Sequence, residues 1–258
     1  MKLGFLGTGT ITTAVIEGLI KSKAKFEQIN ISLRSKKNSS KLKRSSKKIK
    51  IFKDNQEIIN RSSIIFISLL PKVALKELKQ LNFKKNQIII SFASTLNIKT
   101  LKENCSPAKI IVKAAPLPMA KDGLSPTIIF PNNKVVRQIF EIIGTVIIAK
   151  NEKQNNHLWV MSSFMASYVS IVKTLKDYLK KNKVQNSEAN KYLNTFLTGM
   201  LFEINNQNFD LDKSIKELQT KGGINEELLK RLIKDKMFSS INKNLNNIYL
   251  RLKKANDK

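Results

Sequence analysis

The sequence predicts an α/β fold: an N-terminal doubly wound sheet over residues 1–152, then an all-α domain over 153–258. Three observations carry this. Eight short apolar runs recur through the first 150 positions, amphipathic segments lie between them, and strand signals stop from Asn155 onward.

The runs are KLGFLG at the start, INISL (29–33), IKIF (49–52), IIFISLL (64–70), QIIISF (87–92), KIIVKA (109–114), PTIIF (126–130) and TVIIA (145–149). Several are continuous Ile/Val/Phe stretches, which suit strands covered on both faces of a parallel sheet. TAVIEGLIKS follows the first run and KVALKELKQL the fourth; NKVVRQIFEII has Asn132 or Asn133 as N-cap and Gly144 as stop. Strand alternating with helix gives βαβ units and a doubly wound sheet.

Composition narrows the function classes. At 258 residues with 41% hydrophobic content, the chain can bury one large core or two domains. No apolar run approaches the roughly 20 residues of a membrane helix. Gly4, Gly7, Thr8, Gly9 and Thr10 break up any signal-peptide core, so a cytoplasmic protein with no membrane partner is expected. Cys105 is the single cysteine, which excludes an intrachain disulfide and a thiolate cluster. The net charge of +28 comes almost wholly from lysine spread along the chain. Readers of nucleic acid interleave Arg and aromatics on one face, so no specific nucleic-acid partner is expected.

The first strand-to-helix turn carries GTGTIT, Gly7 to Thr12. In doubly wound sheets this turn lies at the carboxyl end of a central strand, where ligands bind. Gly7 allows a tight turn, and Gly9 lets a pyrophosphate approach the backbone. The amides of Thr10, Ile11 and Thr12 then face phosphate from the helix start. Thr12 stands where a third small residue usually packs helix on strand; plain close packing would need the same glycines. After the second strand the chain runs LRSKKNSSK, with no carboxylate to accept from a ribose. Arg34 can grip a 2′-phosphate in bidentate fashion and Ser35 can donate to it, so NADP(H) is expected over NAD(H). A solvated lysine-rich loop is the bland alternative.

In the second half Leu158, Met161, Met165, Tyr168, Val172, Leu175 and Leu179 step by three and four, a sustained helix stripe widened by Phe164, Ile171 and Tyr178. So broad an apolar face belongs in a helical core or a subunit interface. Further helices are expected over about 187–207 and 211–219. After the break Thr220-Lys221-Gly222-Gly223, a last helix runs from Asn225 toward the C-terminus.

These segments resemble the pyrroline-5-carboxylate reductase family nearly end to end. The opening KLGFLGTGTITTAVIEGL is similar to the family's start, and Leu33-Arg34-Ser35 to its "NR" or "SR" element. FISLLPK (66–72), with Leu69 and Pro71, resembles its "AVKPQ" segment, and IIISFASTLNIKTL (88–101), with Ala93, its "SIxAGxxxxxL". VKAAPLPMAKDG (112–123) resembles "RxMPNTPxxxGxG", MSSFMASYV (161–169) "LSGSGPAYV", and QTKGGINEELL (219–229) "TSPGGTTxxGL". The resemblance implies a Rossmann-type NADP domain and a dimerising helical domain. It also implies cofactor contacts from Gly7, Thr8, Gly9, Thr10, Ile11, Arg34, Ser35, Leu69, Pro71 and Ala93. A small imino-acid substrate would bind at Gly222, Gly223 and Ile224, across a homodimer or higher homo-oligomer. The departures gather in that second half: Ile224 and Asn225 replace the two threonines, Leu117 replaces the "PNTP" asparagine, and Ser163-Phe164-Met165-Ala166 replaces Gly-Ser-Gly-Pro.

A protonated cyclic imine is already electrophilic, so a protein need mainly align it with a hydride donor. Asn225 and Ser162 are the candidates to hold the carboxylate and imine nitrogen; each has a structural alternative, a helix cap for Asn225 and a small packing residue for Ser162. His157, the single histidine, reads more readily as a surface or cap residue than as an acid. Cys105 reads as inert, and no cluster has metal-ligand spacing. A β-hydroxyacid dehydrogenase would place Lys, then Asn three or four positions on, in the long helix; Lys173 is followed by Lys176 and Asp177. A cofactor-binding homologue without catalysis remains a third reading.

Overall fold

A computed structural model describes residues 1–205 and 210–256. It divides into two compact units, Met1–Ser162 joined by the turns from Tyr249, and Ser163–Ile248.

The first unit holds an eight-stranded sheet. Strand β1 is Lys2–Leu6, β2 Gln28–Ser32, β3 Ile49–Phe52, β4 Ile64–Ile67, β5 Ile88–Ser91, β6 Ile110–Ala115, β7 Ser125–Phe130 and β8 Gly144–Ile148. Their order is β3-β2-β1-β4-β5-β6-β7-β8. All neighbours run parallel except β6 and β7, which pair antiparallel through the short Pro118–Asp122 turn. The expected parallel sheet is therefore a mixed one, reversed where a link too short for a crossover helix joins two strands.

Burial explains the continuous apolar runs. In β4, Ile64 and Phe66 enter one core layer, while Ile65 and Ile67 enter the other. Phe66 stacks on Phe5 with ring centres 4.2 Å apart and meets Phe140 edge-on at 6.4 Å. Both faces of β4 enter a core layer, so its residues are apolar on either side.

Helices α1 (Thr10–Lys21), α4 (Pro71–Leu78) and α6 (Lys134–Glu141) occupy the expected segments, and Asn133 caps α6 through its side chain. Three further helices lie where none was expected: α2 (Lys36–Ser45), α3 (Asn55–Asn60) and α5 (Ile98–Asn104). The lysine-rich stretch after β2 is thus a helix, capped by the Ser35 side chain, with Ser39 and Leu42 buried.

The long apolar stripe is not one helix. Helix α7 (Glu152–Met161) stops at a 3-10 turn, Ser162–Phe164, and α8 (Met165–Lys181) begins beyond it. Glu152–Lys181 is nevertheless one stretch long and apolar enough, by length and composition, to cross a membrane, with mean hydropathy 1.3 in its best window. That corrects the expectation that no such run exists. The 3-10 turn interrupts its α-helical hydrogen bonding, which a lone span in lipid would need to keep satisfied. The second unit continues with α9 (Asn186–Ile204), α10 (Leu211–Glu217) and α11 (Ile224–Lys234). Instead of one last helix there are two: α11 ends at Asp235 and Lys236, the latter with φ +59°, before α12 (Met237–Asn256).

Candidate functional site: a dinucleotide cleft at the sheet's switch point

The chain leaves β1, winds outward to β2 and β3, then returns to β4 on β1's other side. The crevice at the carboxyl ends of β1 and β4 is the ligand position of such sheets. A cleft of about 630 Å³ opens there, lined by residues 7–11, 34, 35, 38, 68–70 and 92–94. It brings together Gly7, Thr8, Gly9, Thr10, Ile11, Arg34, Ser35, Leu69 and Ala93. Pro71 starts α4, and its side chain lies outside the described residues.

The two glycines do different things. Gly7 has φ +105°, and a Cβ there would sit 2.4 Å from the Ser68 carbonyl oxygen, so β1 and β4 can close up only around glycine. A Cβ on Gly9 would meet nothing within 4 Å. Gly9 is the N-cap of α1, where no side chain caps the helix and the first turn holds no acid. The first-turn amides and the positive end of the helix dipole therefore face the cleft, the ordinary makings of an anion site.

Thr8 and Thr12 frame this turn through their side chains. Thr8 is buried; its hydroxyl donates to the Ser32 carbonyl and accepts from the Ser35 amide, both at 3.3 Å. Asn38 donates to the Thr8 carbonyl at 2.7 Å. These bonds tie the first strand-helix turn to the second. Thr12, also buried, donates to the Ser68 hydroxyl at 2.6 Å, so a hydrogen bond across the sheet replaces the small-residue packing expected there.

Arg34 is exposed at the cleft's edge, and its backbone amide donates to the Ser32 hydroxyl at 3.2 Å. Among the described residues no carboxylate pairs with its guanidinium. It also borders a second hollow of about 650 Å³ beside Lys53 and Asn55. Ser35 caps α2, whose first turn also lacks acid. Leu69 and Ala93 reach the cleft from the core, whereas Leu70 is 75% exposed.

The remaining candidates are described in separate units. Ser162, in the first, donates to the Trp159 carbonyl at 2.6 Å. Gly222, Gly223, Ile224 and Asn225 lie in the second. Gly222 has φ +74°, and its amide donates to Glu226 Oε2 at 2.8 Å. The Gly223 amide donates to the Thr220 carbonyl at 2.7 Å. Two of the three amides expected to cradle a carboxylate thus already have partners. The Lys230 ammonium, and then the Gly222 amide, hold the Glu226 carboxyl below its usual range. Gly223 is the N-cap of α11, so Asn225 sits inside the first turn and is exposed, as is Ile224 at 84%. His157 stacks on Tyr249 at 3.9 Å, and among the described residues no group of three His, Cys or acidic side chains could hold a metal.

Asn38, Ser68, Phe92 and Ser94 were missed by sequence reasoning; their roles depend on partners distant in the chain.

The sheet order, the glycine turn and the cleft define a Rossmann-type fold. Residues 2–95 match the family model described as NADP oxidoreductase coenzyme F420-dependent. Pyrroline-5-carboxylate reductase 3 of Danio rerio is 29% identical over 119 residues, which are 45% of this chain and 41% of that one. The chain thus spans less than half of that relative's length. Pyrroline-5-carboxylate reductase 2 of Bacillus subtilis is 21% identical across 90% of this chain and 86% of its own. In structure, the Plasmodium falciparum pyrroline carboxylate reductase, solved with NADP bound, superposes with a TM-score of 0.87. It is 21% identical, over 99% of this chain and 98% of that one. In sequence and in fold the chain is similar to pyrroline-5-carboxylate reductases.

Proposed function

We propose that the chain is an NADPH-dependent reductase of a cyclic imine, 1-pyrroline-5-carboxylate or a related imino acid. It acts as a soluble cytoplasmic homodimer built through the helical unit. The observation that carries this is one cleft holding both the start of α1, which no side chain caps, and Arg34, which no carboxylate pairs among the described residues, with no acid in the first turn of α1 or α2.

The residues fit the cofactor. Open space over Gly9 admits a pyrophosphate against the α1 amides. Arg34, the Ser35 hydroxyl and the start of α2 suit a 2′-phosphate, which a carboxylate would repel. NADPH supplies, when bound, the hydride that adds to the imine carbon while the ring nitrogen keeps its proton. The protein's part is alignment and exclusion of water, with no side chain needed as a base. Asn225 and Ser162 are proposed to hold the substrate's carboxylate and nitrogen, with the Ile224 amide beside them. Oxidation of NADPH by the purified chain, assayed over cyclic imino acids and, in reverse, 2-hydroxy acids, tests this. Turnover of a five-membered imino acid supports the reading; turnover of hydroxy acids alone overturns it.

One observation favours a second reading. With Gly222 and Gly223 already bonded to Glu226 and Thr220, and Ile224 and Asn225 in place of threonines, the substrate half suits a protein that binds NADP without reducing proline's precursor. Tight NADPH binding with no turnover of any of these compounds would select it.

A further inference from the structure

An ion pair between a buried lysine and a half-buried glutamate lies beneath one wall of the cleft. The Lys113 side chain, in β6, is 0% exposed. Its ammonium lies 3.5 Å from Glu152 Oε1, donates to the Ser94 carbonyl at 3.4 Å and sits 5.5 Å from the centre of the Trp159 ring. Glu152 Oε1 also accepts from the Ile98 amide at 3.3 Å. One lysine and one glutamate therefore hold the middle of the link between β5 and α5 and the first residue of α5. That link supplies Phe92, Ala93 and Ser94 to the cleft.

A charge is a costly way to fill this space. Burial lowers the pKa of the Lys113 ammonium, opposed by attraction to Glu152. An apolar side chain of similar volume would commonly serve stability as well or better. What the ammonium adds is direction: it fixes where one carbonyl of the wall points.

Strand order says what this wall faces. Strands β2 and β5 lie on opposite sides of the β1–β4 pair. With the 2′-phosphate at Arg34 beyond β2 and the pyrophosphate over Gly9, the Phe92–Ser94 wall is left for the nicotinamide end. This placement rests on the cofactor reading above. We infer that Lys113, oriented by Glu152, is a positioning residue that sets the Phe92–Ser94 wall against the nicotinamide half of the cofactor.

Two probes separate the ends of the cleft. NADPH spans all of it, whereas adenosine 2′,5′-bisphosphate reaches from Arg34 to Gly9 and stops short of the Phe92–Ser94 wall. Calorimetric titration of both into the full chain and into Lys113→Met, Lys113→Arg and Glu152→Gln tests the assignment. Lys113→Met should weaken NADPH roughly tenfold, the scale of one directed contact to a charged group, and leave the bisphosphate within about twofold. Lys113→Arg should restore most of the loss. Equal weakening of both probes would mean a general structural role, and unchanged NADPH binding would remove any role; either overturns the inference. If Lys113→Met does not fold, Glu152→Gln decides by the same criterion, a loss confined to NADPH. A parent chain that binds neither probe would refute the cofactor reading instead. Trp159, the single tryptophan, gives an independent check through its emission, which Lys113→Arg should leave close to that of the parent.

Discussion

In the first unit the four residues of β4 are all buried, shared between two core layers; in the second, Ala189 and Leu193 of α9 are the buried apolar side chains among the described residues. Helix α8 buries none, and Phe202 of α9 is 77% exposed. A sheet covered on both faces completes its own core within one chain. A helical unit with Val169, Tyr178, Phe202 and Leu228 facing outward does not. The difference teaches where to look for each half of the function: the dinucleotide cleft is complete in one chain, while the helical unit leaves apolar faces uncovered.

The largest expected effect breaks that contrast directly. If the apolar faces of α8 and α9 seat another copy, the melting temperature of the protein rises with its concentration. Phe202→Glu would then yield monomers and cost about 3 kcal/mol per chain, roughly 6–12 °C in Tm. Light scattering and calorimetry read both quantities. A concentration-independent Tm, unmoved by the substitution, would show that the helical unit stands alone.

Next comes the cofactor end of the first unit. Arg34→Asp replaces an exposed guanidinium with a charge that repels a 2′-phosphate. NADPH affinity should fall on the order of 100-fold, with NADH affinity unchanged or improved. Comparable affinities for both dinucleotides in the parent chain would remove the NADP assignment. The glycine pair then sharpens the division between fold and site. Gly7→Ala forces a Cβ toward the Ser68 carbonyl at a φ of +105°, and should cost about 2–3 kcal/mol in denaturant unfolding. Gly9→Ala meets open space and should change stability by less than about 0.5 kcal/mol while weakening NADPH.

The same division governs what the sequence makes legible. All eight strands stand out as short runs rich in Ile, Val, Leu and Phe, most densely in β4, whose four residues are all buried. Helix α2 is hidden, since KKNSSKLKRS offers little more than Leu42 as an apolar anchor. The turn at Ser162–Phe164 is invisible because the apolar stripe runs through it without a break in spacing. Within the cleft, Gly7 to Ile11 and Arg34 are readable from local turn chemistry. Ser68 is not, since its bond to Thr12 spans 56 positions. Lys113 is masked by composition: in a chain so rich in lysine, nothing local distinguishes the buried one.

The smallest effect tests whether the first unit is a sealed body. Cys105 is buried within the core layer of Leu101 and Ile111, and burial pushes its thiol up to about 12 from an ordinary value near 9. The native thiol should therefore resist alkylation at mildly alkaline pH and react once the chain unfolds. The sign of the linkage follows. Below pH 9 the thiol is protonated in both states and contributes no slope. Between 9 and 12 the unfolded chain releases its proton while the native chain keeps it, so stability falls as pH rises. The slope is at most about 1.4 kcal/mol per pH unit. Lysines titrate in the same window, so the measurement is the difference between the parent and Cys105→Ala, flat below pH 9 and falling above it. Rapid labelling of the native thiol, or a flat difference throughout, would place the open, partner-seeking character in the sheet unit as well and dissolve the contrast between the two halves.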